Sequence, residues 1–221
     1  MIQIKNAAEL AKMRRACEIS AAALKAGGAA IEPGISTAEI DKIIYDFIVR
    51  HGARPNFLHL YGFPATACIS VNDTVIHGIP TRDQKIRPGD IVSIDTGCKI
   101  DGFNGDNACT FGCGKLDMEA QRLLDVTRES LHLGIQAAQA GARIGDIGHA
   151  VQSYVEENGF SVVRAFVGHG VGKELHEDPE VPNYGRPGHG PRLVPGMCIA
   201  IEPMVSQHKY DVKTLGDGWT V

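Results

Sequence analysis

The sequence predicts an α+β protein in which one structural unit, two helices followed by antiparallel strands, occurs twice. Two observations in each half support this: apolar residues at helical spacing, and short β-branched runs bounded by turn residues. A third is that the two halves match at a constant spacing. We therefore expect a single domain with halves of about residues 1–115 and 116–221. Its antiparallel sheet should have a pseudo-two-fold axis and be covered by helices.

Two helices are predicted at the start of the chain. Asn6 and Glu9 have the spacing of a capping box, and apolar residues then recur every three or four positions until Gly27. Thr37 opens a second amphipathic helix, which Gly52 should end.

Strand-like runs follow the helices. Ala67–Val71 and Ile91–Thr96 are predicted strands, and Asp101-Gly102 is a hairpin turn signal leading to a returning strand over Ala108–Phe111. In the second half, residues 162–167 are strand-like.

The second half repeats the first at a spacing of 107 residues. The matched pairs are Leu24/Leu131, Gly34/Gly141, Ile40/Ile147, Ile44/Val151, Ile48/Val155, Gly52/Gly159 and Asp95/Glu202. Because apolar residues and glycines keep one register, we interpret the halves as a duplicated unit.

Composition excludes several classes of protein. An apolar fraction of 43% and a net charge of -4 are ordinary for a globular protein and do not favour a nucleic-acid binder with a basic face. No apolar run approaches the roughly 20 residues of a membrane span, and the N-terminus lacks a signal-peptide pattern, so we expect a cytoplasmic protein. The six cysteines form no C-x-x-C pair, which favours reduced thiols over a structural zinc site.

Four residues have the chemistry of a hydrolytic metal site. Asp95 and Asp106 belong to the two arms of the predicted hairpin, His169 lies between two glycines, and Glu202 ends an apolar run before Pro203. Unpaired carboxylates on apolar strands are costly to bury, so a cation is a natural partner. Oxygen and nitrogen ligands of this kind suit Mn, Fe, Co or Zn. The alternatives are a turn residue at Asp106 and an ordinary ion pair at Asp95.

Two further histidines are candidates for catalysis. His77 precedes Gly78 and Pro80, and His176 precedes Glu177. A histidine beside a metal centre can donate a hydrogen bond to a developing oxyanion. The alternative for each is a surface-loop histidine.

Several motifs, in order along the chain, resemble type I methionine aminopeptidase of the M24 peptidases. The motif residues are 75–80, 94–106, 168–172, 175–179 and 196–204, and the likeness runs from the N-terminal helix to residues 217–221. The resemblance implies the duplicated "pita-bread" α+β fold. It implies a hydrolase that removes the initiator methionine, with water activated by two divalent ions (Co, Mn, Fe or Zn) attacking the first peptide bond. The chain starts without the zinc-finger extension of eukaryotic relatives, so we expect a bacterial-type enzyme.

By this resemblance the metal ligands are Asp95, Asp106, His169 and Glu202, with Asp106 bridging. Glu202 also moves the proton. His176 stabilises the oxyanion, and His77 contacts the scissile amide.

The implied methionine pocket has two departures from the family. Its residues are Phe63, Cys68, Leu175 and Trp219. Phe63 stands where the family often has Tyr, and Leu175 where it often has Phe. A thioether packs against either type, so we expect specificity for methionine to persist. The implied partner is the N-terminal methionine of nascent polypeptides, near the ribosome, for a monomer with no membrane or specific nucleic-acid partner.

The family also has a fifth ligand, a bridging glutamate on a later strand, and this chain stops at Val221 before it. We therefore expect the final strands to be missing, metal occupancy to be weak or single, and stability to be poor. The alternatives are an inactive fragment and a non-catalytic binding protein on the same fold. A proline-specific aminopeptidase is a further alternative, although those enzymes usually carry a large extra N-terminal domain.

Overall fold

A computed structural model describes residues 1–221 and contains four α-helices and eight strands. In chain order the elements are α1 Ala7–Ala29, α2 Thr37–Arg50, β1 Arg54–Pro55, a 3₁₀ turn Leu60–Gly62, β2 Ala67–Val71, β3 Ile91–Ile100, β4 Phe103–Gly112, α3 Met118–Ala137, α4 Ile144–Glu157, β5 Ser161–Val162, β6 Gly168–Gly170, β7 Glu177–Val181 and β8 Val205–Ser206. No helix combines the length and the apolar content that crossing a membrane requires.

The chain divides into two compact units. The hairpin unit comprises Glu9–Asp117, Lys173–Leu175 and Lys213–Val221. The histidine unit comprises Met1–Ala8, Met118–Gly172 and His176–Val212.

In the hairpin unit, β3 is the central strand of a four-stranded antiparallel sheet. It pairs with β1, β2 and β4. The predicted turn is confirmed, since Asp101 and Gly102 have φ of 53° and 84°, as a two-residue type I′ turn requires. The hairpin arms are longer than predicted because pairing continues to Ile100↔Phe103, directly at the turn. Fully buried Ile40, Ile44 and Ile48 of α2 pack in the same core as the sheet residues.

Both predicted helices of this unit are present, but the first extends past its expected end. α1 begins directly after Asn6, as predicted, and runs to Ala29. Gly27 and Gly28 do not stop it. A Cβ on Gly27 would lie 2.7 Å from Ile44, and one on Gly28 would lie 2.3 Å from the Phe111 ring. These glycines therefore allow close packing of α1 on its neighbours.

In the histidine unit, β6 pairs with β7 and β5 pairs with β8, each as a separate two-stranded sheet. The strand predicted over residues 162–167 is wrong beyond Val162, where β5 ends. The apolar run before Glu202 makes one isolated bridge, Gly170↔Ile199, rather than a regular strand. Pro203 has no N–H, so it cannot extend that pairing.

Contacts in the first half recur 107 residues later in the second. The bridge Ser36↔Lys85 corresponds to Arg143↔Arg192. The pair Arg54↔Lys99 corresponds to Ser161↔Ser206, and Thr37–Arg50 corresponds to Ile144–Glu157 residue for residue. Gly34 and Gly141 also share a φ of 95°. Backbone geometry and register therefore repeat along with the sequence pattern.

Candidate metal and substrate site

The two aspartates lie on one face of the β3–β4 hairpin. Asp95 is opposite Ala108 and Asp106 is opposite Gly97, so the two aspartates are diagonal neighbours on the two arms of the hairpin. Side chains alternate between faces with a period of two, which places both on the same side. Diagonal neighbours are about 7–8 Å apart at the backbone, within reach of a shared ligand. Both residues are half-buried.

Two glycines of the hairpin allow close contact with Asn56 and with α1. A Cβ on Gly97 would lie 2.4 Å from Asn56 Oδ1. A Cβ on Gly105, the neighbour of Asp106, would lie 2.3 Å from the backbone of Ala16 in α1. Helix α1 thus supports the strand that carries Asp106.

All four predicted pocket residues of the hairpin unit belong to one apolar cluster. Phe63, Cys68 and Leu175 are buried, and Trp219 is partly buried against them. The rings of Phe63 and Trp219 meet edge to face with centroids 5.1 Å apart. Sequence reasoning missed four further members, whose apolar character gave no signal that separated them from core residues: Phe57, Leu60, Ala65 and Ile79.

This cluster borders the two carboxylates. Cys68 on β2 is the cross-strand partner of Asp95 on β3. Burial raises the pKa of the Cys68 thiol well above its usual range, and the negative charges of Asp95 and Asp106 raise it further. Cys68 is therefore a neutral thiol, and it joins the apolar cluster to the hairpin carboxylates.

The Trp219 segment is held by hydrogen bonds on both sides of the residue. Asp217 Oδ1 accepts hydrogen bonds from the Trp219 and Thr220 N–H groups, each 2.9 Å long. Val221 N–H donates to Ile76 O (3.2 Å), and Val221 O accepts from Val75 N–H (2.7 Å). The segment therefore closes against the loop that leads into His77.

His77 has an unusual backbone that the next residue makes possible. Its φ is 58°, and the N–H of Gly78 donates to Ser70 Oγ on β2 at 3.1 Å. A Cβ on Gly78 would lie 2.3 Å from Ile69 O, so only glycine allows this approach. The His77 ring lies 6.4 Å from the Trp219 ring, edge to face. Burial lowers the pKa of His77, which keeps the imidazole neutral at neutral pH.

The histidine unit brings together His169, His176 and Glu202. His169 Nε2 lies 3.3 Å from Glu202 Oε1, and the rings of His169 and His176 are 4.5 Å apart at 79°. The glycines on either side of His169 allow other backbone segments to approach closely. A Cβ on Gly168 would lie 2.3 Å from Ala200 O, and one on Gly170 would lie 2.2 Å from Asp178 O.

The surroundings of these side chains suit a divalent cation. His169 Nδ1 lies 2.8 Å from Gly170 O, which can only accept, so Nδ1 carries the proton and Nε2 is the nitrogen whose lone pair could bind a metal. Histidine ligands commonly have this second hydrogen bond. The backbone carbonyl of Glu202 accepts from Asn183 Nδ2 at 2.6 Å, and Asn183 is fully buried. The donor set contains carboxylates and imidazole without thiolate, which fits Mn, Fe, Co or Zn.

Comparison with known proteins gives one consistent result. The sequence pattern of metallopeptidase family M24 matches residues 11–220. The methionine aminopeptidase of Clostridium perfringens is 53% identical over 221 residues, covering all of this chain and 88% of that protein. Methionine aminopeptidase 1 of Bacillus subtilis is 49% identical, and the match covers 100% of this chain and 89% of that protein. The crystal structure of methionine aminopeptidase from Thermotoga maritima superposes with a TM-score of 0.98 at 42% identity. The match covers 100% of this chain and 88% of that one.

These similarities confirm the fold class. The chain has the duplicated pita-bread fold with antiparallel strands and covering helices that the sequence predicted.

Proposed function

The chain belongs to metallopeptidase family M24, and from that membership we propose that it is a methionine aminopeptidase of the bacterial type I class. It removes the N-terminal methionine of polypeptides by hydrolysing the first peptide bond. The observation that carries the proposal is the buried cluster of Phe63, Cys68, Leu175 and Trp219 bordering the carboxylate of Asp95. Relatives that carry the same activity in their names span the whole chain. The non-catalytic alternative is not favoured.

Four side chains hold the metal in this proposal: Asp95, Asp106, His169 and Glu202. Asp106, His169 and Glu202 each present one ligand atom suited to a divalent cation. The proposed cofactor is two divalent ions (Co, Mn, Fe or Zn), which these side chains, Asp106 among them, would hold. Such ions supply an activated water at neutral pH and polarise the scissile carbonyl.

The chain's own groups handle the proton and the charge that develops. Glu202 takes a proton from the attacking water and passes it to the leaving amine. His176 donates a hydrogen bond to the oxyanion of the tetrahedral intermediate. His77 contacts the scissile amide, and its neutral imidazole can donate from one nitrogen and accept at the other.

The apolar cluster explains the choice of methionine. A flexible, polarisable thioether packs well against aromatic faces and edges. Phe63 and Trp219 supply such edges, and buried Leu175 supplies an aliphatic wall. A charged side chain in this cluster would lose its hydration without gaining a partner.

Three further features belong to the proposal. The substrates are nascent polypeptides close to the ribosome, which puts the activity in the cytoplasm. The enzyme acts as a monomer. Residues 1–115 and 116–221 are related halves of one catalytic domain, as the repeated contacts suggest.

Peptide hydrolysis tests the function. The protein is incubated with Met-Gly-Met in the presence of Mn, Co, Fe or Zn, and released methionine is measured. Ala-Gly-Met serves as the matched control, since alanine leaves most of the pocket empty. We expect metal-dependent release from the first peptide only. A folded protein that releases no methionine with any of the four metals would refute the proposal.

A further inference from the structure

A buried ion pair lies beside His176 in the histidine unit. Lys5 Nζ and Glu177 Oε2 are 2.6 Å apart, and their side chains are only 5% and 8% exposed. Lysine and glutamate are rarely buried unless they are paired. Neither residue has a role in the proposed reaction.

Two glycines, Gly172 and Gly196, leave room for this pair. A Cβ on Gly172 would lie 2.5 Å from Glu177 Oε1 and 2.6 Å from Lys5 Cε. Lys5 N–H donates to Gly196 O at 2.8 Å, and a Cβ on Gly196 would lie 2.7 Å from Lys5 O. The pair is therefore fixed to the segments that lead away from His169 and towards Glu202.

A gain in folding stability does not explain why this position has a buried ion pair. Replacing a buried ion pair with apolar residues of similar volume is often neutral or stabilising. The pair does fix position, because Glu177 is the first residue of β7 and directly follows His176. Consecutive Cα atoms are 3.8 Å apart, so a shift of Glu177 also moves His176.

We infer that the Lys5–Glu177 pair is a positioning device that holds the His176 imidazole where the oxyanion develops. This rests on the proposed function, in which His176 donates to that oxyanion. Donors of this kind act through a preset geometry, so a small displacement lowers the rate without abolishing substrate binding. Lys5 and Glu177 do not touch the reacting atoms themselves.

The test is a double-mutant cycle. Lys5→Met with Glu177→Met removes both charges and keeps the buried volume. We expect its Tm to stay close to that of the unmodified protein, its kcat on Met-Gly-Met to fall by about tenfold or more, and its KM to change much less. In a His176→Ala background the same pair of changes should cost less than about twofold, because the positioned group is gone. Arg128→Met with Asp125→Met removes an exposed ion pair of α3 and should leave kcat unchanged.

Two results would overturn the inference: full kcat in the folded double variant, or an equal loss with and without His176. If the double variant does not fold, Glu177→Gln takes its place in the same cycle with the same two criteria. Failure of the proposed function is distinguishable. It would show as no methionine release by the unmodified enzyme, or as full kcat in His176→Ala alone, which withdraws the oxyanion role and the inference with it.

Discussion

Gly105→Ala tests whether the packing of α1 sets the position of the Asp106 carboxylate. The added Cβ would lie 2.3 Å from the carbonyl carbon and oxygen of Ala16 and 2.6 Å from Cys17 N. Carbon atoms in contact are about 3.5–4.0 Å apart, so the backbone of β4 at Gly105 must move away from that of α1 at Ala16 by more than about 1 Å. Both obstacles are backbone, and no side-chain rotation relieves the clash. Overpacking of this kind costs about 1–3 kcal/mol.

We expect an effect on activity in addition to the loss of stability. Because Gly105 directly precedes Asp106, the separation displaces a proposed metal ligand, and a 1 Å misplacement can cost about 100-fold in rate. Urea unfolding of the metal-free protein measures the first effect, and methionine release at saturating Mn measures the second. Gly216→Ala is the control, since nothing lies within 4 Å of its Cβ position. Unchanged stability and activity in Gly105→Ala would refute the reasoning.

Three further predictions concern the pocket, the half-buried His77 and the metal. Phe63→Ala should lose about 3–5 kcal/mol of stability and lower kcat/KM for a methionyl peptide, whereas Tyr61→Ala, at a 79% exposed residue, should affect both little; equal effects would contradict the pocket assignment. Burial lowers the folded-state pKa of His77, so the unfolded chain binds the extra proton and stability falls as pH drops below about 6.5. Between pH 8 and pH 5, the free energy of unfolding measured with urea should fall less in His77→Gln than in the unmodified protein. Parallel curves for the two proteins would show that His77 does not cause the pH dependence. Asp95→Asn should lower the metal content measured by elemental analysis, while the exposed control Asp83→Asn should retain it; equal content in both would remove Asp95 from the ligand set.

Local chemistry made parts of the fold predictable from sequence. The Asp101-Gly102 turn requires positive φ at both positions, and few residue pairs provide it. The start of α2 was predicted at Thr37, although its capping box uses Ser36 with Glu39. Helix starts and tight turns depend on a few adjacent residues, so a single sequence contains most of the information.

Other parts depend on contacts distant in sequence. The pairing of Val221 with Val75 and Ile76 positions Trp219, but no periodicity in that segment indicates it. β5 and β8 are two residues each, too short for an alternating pattern to show. The prediction of the pocket residues rests on family resemblance, because a buried Leu175 looks the same in a core and in a binding site.

The duplication explains why the equivalence of Asp95 and Glu202 was easier to predict than the surrounding strands. The duplicated backbone places Asp95 and Glu202 at equivalent positions. Asn56 N–H donates to Gly97 O, and 107 residues later Val163 N–H donates to Met204 O. The neighbours differ, however. Asp95 has the apolar cluster beside it, through Cys68, and Glu202 has an imidazole, through His169. In the proposed function, the duplicated backbone therefore carries substrate selection in one copy and proton and oxyanion chemistry in the other, a difference that a symmetric sequence pattern alone would not reveal.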